Sequence, residues 1–174
     1  MPAYRIDSRW ITWVQRRERI TGRGLVWMQT HMDAAVESNG TPRRGAGQRV
    51  RNNEQYMRTL LAMARNFERN HEVLVGGDWN VDARADRRVQ HPQMPYTLLE
   101  QRAAADTEGL RTTYTLIGLD VAPTSRYAGG RWIDYVAVWT RPGGEGATVT
   151  GHQVVTGVNS DHNPLVAGVR ISAP

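Results

Sequence analysis

The chain has 174 residues and a mass of 19.6 kDa, which is enough for one domain with a sizeable core. Hydrophobic residues make up 40% of it and charged residues 22%, which excludes a globally disordered protein. No apolar run reaches the roughly 18 residues of a membrane span, and the lack of cysteine excludes disulfides and thiolate metal clusters. Residues 1–10 are polar and contain no signal core, so we expect a cytoplasmic protein with a single domain over residues 1–174.

Every basic residue is an arginine, and the 22 arginines outnumber the 17 acids to give a net charge of +5. Guanidinium groups match phosphate geometry, and a positive surface attracts polyanions. The exclusive use of arginine favours nucleic acid or another phosphate-bearing partner, although a GC-rich genome would produce the same bias. Arg51, Arg58 and Arg65 recur at a regular spacing along one predicted helix. That row either follows a phosphate backbone or forms a solvated helix face.

The first predicted element is a β-hairpin. Its strands are the β-rich runs Arg9–Arg17 and Leu25–Thr30, and residues 21–24 supply glycines for the turn. No strand is expected before Arg9. Residues 38–47 are rich in Gly, Pro, Asn and Ser, which predicts a loop.

A long amphipathic helix and a buried strand follow. Apolar residues recur at helical spacing over Gln48–Asn70, whereas Val73–Gly77 is a continuous apolar run typical of a central strand. An irregular stretch then leads to a second predicted helix over Thr97–Ala105. The remaining predicted strands are Arg111–Leu116, Arg131–Trp139, Thr148–Thr156 and Pro164–Ile171. This order predicts an α/β (α+β) fold with helices packed on a mixed sheet.

Polar residues that can carry chemistry follow the predicted central strand. Asp78 and Asn80 stand in the string Gly76-Gly77-Asp78-Trp79-Asn80, two residues apart, so an extended chain points both to one side. A carboxylate beside a carboxamide can orient a water molecule and donate to a charged oxygen. The alternative is an ordinary turn, for which these residue types are common.

Asp134 lies inside a predicted strand that is apolar on both faces. We therefore expect its carboxylate to be buried and to need a partner, because an unpaired buried charge costs several kcal/mol. A histidine would make it part of a functional site. An arginine such as Arg126 or Arg131 would make it a structural ion pair instead.

Two further strings contain histidine. Ser160-Asp161-His162-Asn163-Pro164 lies between the last two strands, and its imidazole can handle a proton near neutral pH. Thr30-His31-Met32-Asp33 follows the predicted hairpin. Each string taken alone is more typical of a structural loop than of a functional site.

Taken in order, four short strings resemble the endonuclease/exonuclease/phosphatase superfamily, which has the deoxyribonuclease I-like fold. They are Thr30-His31, Gly77-Asp78-Trp79-Asn80, Ile133-Asp134-Tyr135 and Ser160-Asp161-His162, with the expected strand and helix between them. The resemblance covers about residues 9–171 and implies a four-layer α/β sandwich. It also implies metal-dependent hydrolysis of a phosphoester by in-line attack of water, with a nuclease or phosphodiesterase as the expected activity.

The resemblance assigns roles to the matching residues. Asp78 would activate the water with help from Asn80, and His162, held by Asp134, would contact the scissile phosphate. His31 would donate to a phosphate oxygen. The expected metal ion is Mg²⁺ or Mn²⁺, which prefer oxygen ligands.

Asp161 would be a metal ligand, shared in the superfamily with a glutamate on an earlier strand. Glu18 comes too late in the order to be that glutamate, so the chain is similar to the C-terminal portion of the domain. Reduced activity in isolation is therefore expected. An open sheet edge would invite a partner chain or a homo-oligomer.

Two alternatives remain open from the sequence. The chain is either a non-catalytic remnant that binds nucleic acid or a partner chain, or an ordinary α+β domain in which the strings are coincidental. In the second case the acidic and imidazole groups would lie far apart in the structure rather than around one cleft.

Overall fold

A six-stranded sheet forms the centre of the computed structural model, which describes residues 3–6, 9–17, 19–20, 22–100, 108–141 and 146–171. The strands are β1 (Ala3–Ile6), β2 (Arg9–Arg17), β3 (Gly24–Thr30), β4 (Glu37–Ser38), β5 (Thr41–Pro42), β6 (His71–Asp78), β7 (Gly109–Thr112), β8 (Asp134–Thr140), β9 (Ala147–Val154) and β10 (Leu165–Ile171). The α-helices are α1 (Gly47–Phe67), α2 (Ala83–Val89) and α3 (Thr113–Leu116).

The large sheet has the strand order β1-β2-β3-β6-β8-β7. Only β3 and β6 pair in parallel, and the other neighbours in this sheet are antiparallel. Strand β6 sits between β3 and β8 and is buried along most of its length. Its continuous apolar run predicted this central position, and the mixed sheet with helices confirms the predicted α/β class.

Helix α1 connects β3 to β6 and packs against one face of the large sheet. Its buried apolar residues recur at the three-and-four spacing of one helix face: Val50, Tyr56, Met57, Leu60 and Ala64. The prediction of this helix is confirmed, although it ends at Phe67 rather than Asn70. No helix among the described residues is long and apolar enough to cross a bilayer.

The opposite face of the large sheet is covered in part by a separate hairpin of β9 and β10. Leu74 and Val138 from the large sheet pack there against Ala147 and Val149 of β9. Helices, the large sheet and this small sheet are therefore successive layers of the described part of the chain.

Several sequence predictions are wrong in detail. A strand does precede Arg9, because β1 pairs with β2 at the edge of the large sheet. Residues 38–47 are not all loop, since β4 and β5 form a short hairpin. The predicted strand Arg111–Leu116 turns into α3 after Thr112, whose side chain accepts a hydrogen bond from the Thr115 amide and caps the helix.

The stretch after β6 is not irregular, because it contains α2. Asp82 caps this helix by accepting a hydrogen bond from the Ala85 amide at 2.8 Å. The helix is too short for an apolar period to reveal it in the sequence. Tyr96–Glu100 forms a π-helical turn within the predicted helix Thr97–Ala105, and the remainder of that prediction lies outside the described residues.

A buried ion pair at the start of β6 ties the two sheets together. Glu72 is only 3% exposed; it pairs with Arg23 at 2.5 Å and Arg141 at 3.0 Å, and it accepts a hydrogen bond from the Ala147 amide. Glu72→Ala would remove the buried carboxylate that these two half-buried arginines share. We expect a loss of about 3 kcal/mol in the free energy of unfolding, measured by urea denaturation.

Arg58→Ala is the matched control, because it also breaks an arginine–glutamate pair. Arg58 is exposed and pairs with Glu54 one helical turn away on α1, so its loss should cost less than about 1 kcal/mol. Equal losses for the two variants would contradict a structural role for the Glu72 cluster.

Asp86 of α2 makes the stability of the fold depend on pH. It is 1% exposed, and burial raises its pKa to about 7, against the hydrogen bond from the Tyr96 amide. The charges of Glu100, Glu37 and Asp82 raise its pKa further. The native state therefore retains a proton that the unfolded chain loses above about pH 4. Stability should fall as the pH rises from about 4 to about 7.

Asp86→Asn cannot ionise and keeps an oxygen for the Tyr96 amide. The free energy of unfolding of the variant should gain on that of the wild type between about pH 4 and about pH 7, by up to about 1.4 kcal/mol per pH unit, as measured by denaturation. Asp120→Asn, at an exposed position, is the control and should leave the pH dependence unchanged. Parallel stability curves for wild type and Asp86→Asn would contradict this account.

Candidate active site

Two carboxylates face each other where β6 ends and β8 begins. Asp78 and Asp134 are direct partners in the antiparallel register, so their side chains project from neighbouring strands on the same side. Like charges in such a pair repel each other, and the position is unfavourable for stability alone. Asp134 is only half-buried, contrary to the expectation that it would be buried with its strand.

The imidazole of His162 lies between these carboxylates. Its Nδ1 is 2.8 Å from Oδ2 of Asp134, and its Nε2 is 3.9 Å from Oδ2 of Asp78. The partner of Asp134 is therefore a histidine. The two arginines considered as alternatives bind elsewhere, Arg126 to Val158 and Asn163 and Arg131 to Glu37.

A close approach of β3 and β6 brings the first two strings together. Gly77 has φ of 140°, and a Cβ at this position would lie 1.8 Å from the carbonyl oxygen of Thr30, so the contact requires glycine. His31, the residue after Thr30, thereby reaches Asp78, the residue after Gly77. Nε2 of His31 lies 3.4 Å from Oδ2 of Asp78.

Asn80 stabilises the contact between Asp78 and the segment that carries His31 through two hydrogen bonds. Its backbone amide donates to Oδ1 of Asp78 at 2.8 Å, and its side-chain amide donates to the Met32 carbonyl at 3.0 Å. The residue is nine-tenths buried and adopts a left-handed φ of 54°. Asn80 therefore fixes the Asp78 carboxylate relative to the loop that carries His31.

Residues that gave no signal in the sequence position Asp134 and His162. The Thr124 hydroxyl accepts hydrogen bonds from the Ile133 and Asp134 amides at 3.0 and 3.1 Å, and the Tyr114 hydroxyl donates to the Asp134 carbonyl. Thr124 also accepts, through its carbonyl, from the Asn163 amide next to His162. These residues are scattered along the chain, and only the fold reveals that they share a role.

Asp161 lies outside this cluster. It is exposed, and its carboxylate accepts a hydrogen bond from the neighbouring Ser160 hydroxyl at 3.4 Å. Among the described residues, the group of ligand atoms within 4.8 Å of one another comes from Asp78, Asp134 and His162. The role of Asp161 as a metal ligand stays a prediction.

The pKa values of Asp78 and His162 are both raised, in directions that favour proton transfer. Burial raises the pKa of Asp78, and the charge of Asp134 raises it further against the Asn80 amide and the two histidines. Burial lowers the pKa of His162, but the hydrogen bond and charge of Asp134 and the charge of Asp78 outweigh this and raise it overall. The site thus pairs a carboxylate that is a stronger base than usual with an imidazole that retains its proton to higher pH.

The donor set suits a hard divalent cation. Two carboxylates repel each other here, which shows in the raised pKa of Asp78, and a cation between them would relieve that repulsion. Oxygen-rich sites of this kind favour Mg²⁺ or Mn²⁺ over softer metals.

An open cleft of about 430 Å³ gives access to the cluster. Asp134 and His162 form part of its wall, together with Trp27 and Gln29 of β3. Asp78 and His31 are joined to this pair by their side-chain contacts, which is not the scattered arrangement expected of coincidental strings.

Solved structures share this fold. An endonuclease/exonuclease/phosphatase from Bacteroides vulgatus is 16% identical, with 94% of this chain and 56% of that chain covered and a TM-score of 0.61. A mannosyl-6-phosphatase from Bacteroides thetaiotaomicron is 19% identical, with 94% and 57% covered and a TM-score of 0.58. TDP2 from D. rerio, complexed with single-strand DNA product, is 12% identical, with 93% and 61% covered and a TM-score of 0.59.

These similarities establish the fold, and the predicted endonuclease/exonuclease/phosphatase architecture is confirmed. The chain spans between 56% and 61% of the length of these three structures. No protein-family model and no curated protein matches the sequence.

Proposed function

We propose that this chain is a metal-dependent phosphoester hydrolase, a nuclease or phosphodiesterase that cleaves P–O bonds by in-line attack of water. The observation that supports it is the Asp78–His162–Asp134 cluster at the mouth of a cleft, in a fold shared with phosphoesterases. The net positive charge favours a polyanionic substrate.

Asp78 is the proposed general base. Its raised pKa makes it a stronger proton acceptor than an ordinary aspartate, and the Asn80 amide holds one of its oxygens. The other oxygen faces His31 and His162 and is available to orient and deprotonate a water molecule. Asn80 thus acts chiefly as a positioning residue.

His162 and His31 are the proposed donors to the phosphate. Nδ1–H of His162 donates to Asp134, which orients the ring, and the raised pKa of His162 favours the imidazolium form, whose Nε2–H donates toward the reacting oxygen. His31, whose side chain is largely exposed, can approach a phosphate oxygen from the other side of Asp78.

Asp78 and Asp134 would hold a divalent cation, with Asp161 the further ligand predicted from the resemblance. When bound, the cation would neutralise charge on the phosphate and polarise the P–O bond. A partner chain or second copy at the sheet edge is also part of this proposal.

Removal of divalent metal tests the proposal. Hydrolysis of bis(p-nitrophenyl) phosphate should be abolished in a chelator and restored by Mg²⁺ or Mn²⁺, because the charge of the transition state would otherwise be unmatched. An unchanged rate in chelator would contradict the metal requirement. If wild type cleaves nothing with either metal and still binds nucleic acid, the chain is a binding protein instead.

A further inference from the structure

A second polar cleft adjoins the proposed active site and has no part in the chemistry above. It has a volume of about 440 Å³ and lies between α2, the β4–β5 hairpin and the segment that leads into β8; we call it the α2 cleft. The charged residues in its wall are Glu37, Asp82, Arg84, Arg88 and Arg131.

Both acids of the α2 cleft are committed to structural contacts. Glu37 binds Arg131 and accepts a hydrogen bond from the Gly40 amide at 2.8 Å. Asp82 accepts from the Ala85 amide at 2.8 Å and from the Trp132 amide at 3.2 Å. Neither carboxylate forms an ion pair with Arg84 or Arg88, the two arginines of α2 that line the cleft.

Arg84 and Arg88 lie one helical turn apart, so they share a face of α2. Both are exposed, and neither pairs with an acid among the described residues. The Arg84 guanidinium lies over the Trp132 ring at 3.8 Å from its centroid, which holds the group in place while its in-plane donors stay accessible. Like charges at this spacing destabilise a helix, so stability does not explain the pair, and a bound anion would.

The α2 cleft is close to the catalytic cluster. The Trp79 amide donates to the Ile133 carbonyl and the Ala83 amide to the Trp132 carbonyl, both at 2.9 Å, which extends the β6–β8 pairing beyond Asp78. Trp132 precedes Asp134 by two residues, which span at most about 7 Å. A nucleic acid strand carries one phosphate per nucleotide along its backbone, so phosphates near the scissile one can reach the cleft.

Tyr127 is an exposed aromatic residue two positions after Ser125, the residue that connects the two places. Tyr127 is 76% exposed, and its amide donates to the Ser125 hydroxyl. Ser125 in turn forms β-bridges to His162 of the catalytic cluster and to Arg131 of the α2 cleft. An exposed ring in this position can stack on an unpaired base, whereas duplex bases are already stacked on each other.

We propose that the α2 cleft binds a backbone phosphate of a single-stranded nucleic acid, with Arg84 and Arg88 as the phosphate ligands and Tyr127 stacking on a base. This inference rests on the proposed function, because it places the scissile phosphate at Asp78 and His162. It names the class of substrate and a binding site separate from the catalytic residues.

Binding of a fluorescent single-stranded oligonucleotide in chelator, across a range of salt concentrations, tests the inference without cleavage. The Arg84→Gln/Arg88→Gln variant should bind at least tenfold more weakly. The slope of log affinity against log salt should fall by about 0.7 for each phosphate that an arginine no longer neutralises. Tyr127→Leu should also weaken binding but leave the slope unchanged, because stacking releases no counterions.

Arg65→Gln/Arg69→Gln is the matched control. These two exposed arginines have the same spacing and precede the opposite end of β6 from Asp78, so the variant changes net charge equally. An equal loss of affinity in the control, or none in Arg84→Gln/Arg88→Gln, would overturn the α2 cleft as a binding site. Equal affinity of the wild type for duplex and single strand would overturn the single-stranded assignment.

Hydrolysis of bis(p-nitrophenyl) phosphate separates this inference from the proposed function. That small ester does not extend to the α2 cleft, so Arg84→Gln/Arg88→Gln should hydrolyse it at the wild-type rate. Slower hydrolysis of the ester by this variant would overturn a role confined to binding. Wild-type protein that binds the oligonucleotide as described but hydrolyses no phosphoester would overturn the proposed function alone.

Discussion

Replacing His162 by alanine is expected to slow phosphodiester hydrolysis by about 10²–10⁴-fold, the usual contribution of one positioned acid or base. The imidazole is oriented through Nδ1 by Asp134 and presents Nε2 to the site, whereas His31 contacts Asp78 without a partner among the described residues that orients it in the same way as Asp134 orients His162. Initial rates with bis(p-nitrophenyl) phosphate and Mg²⁺ measure the effect. The free energy of unfolding should change little, because the side chain is one-third exposed.

A double-mutant cycle with Asp134→Ala identifies how His162 works. If Asp134 acts by orienting the imidazole, each single variant should lose about as much activity as the double variant. Losses that multiply would instead show that Asp134 contributes independently, for example as a ligand of the cation. His71→Ala is the control, because His71 begins β6 at the end of the strand opposite Asp78, and it should retain the wild-type rate.

The residues of the cluster were more predictable from the sequence than their surroundings. Gly77 carries much of that information, because any Cβ at this position would lie 1.8 Å from the Thr30 carbonyl oxygen. Glycine is therefore required next to Asp78, and the close approach brings His31 to it. A glycine followed by an acidic residue at the end of a predicted strand can be recognised from the sequence alone. So can a continuous apolar run, which correctly predicted the central position of β6.

Features that depend on distant contacts were not predictable. Thr124 and Tyr114 hold Asp134 through single hydrogen bonds across the fold, and ordinary Thr and Tyr residues give no sequence signal for that. The sequence did not reveal helix α2, because seven residues are too few to show an apolar period. The Asp82 cap that stabilises the start of this helix is visible only in the structure. The half-burial of Asp134 was missed because the strand starts at this residue, so its apolar neighbours enclose it on one side only.

Asp78→Asn should abolish activity and stabilise the protein at the same time. The amide keeps an oxygen for the Asn80 amide but cannot accept a proton from water, so hydrolysis should fall by about 10²–10⁴-fold. Burial and the facing Asp134 raise the pKa of Asp78, so its ionised form costs stability at neutral pH, and asparagine removes that cost. Tm should therefore rise, as expected where an active site holds an unfavourable charge.

The sign of the effect on stability is testable through pH. Because the native pKa of Asp78 lies above its unfolded value near 3.9, wild-type stability falls as the pH rises through the interval between them. The advantage of Asp78→Asn should grow over that interval and then level off. Calorimetry at a series of pH values measures it, with Asp120→Asn as the exposed control. A variant that is inactive but less stable than wild type at pH 8 would contradict this account. It would show that attraction to His31 and His162 makes the ionised Asp78 carboxylate stabilising overall, despite the repulsion from Asp134.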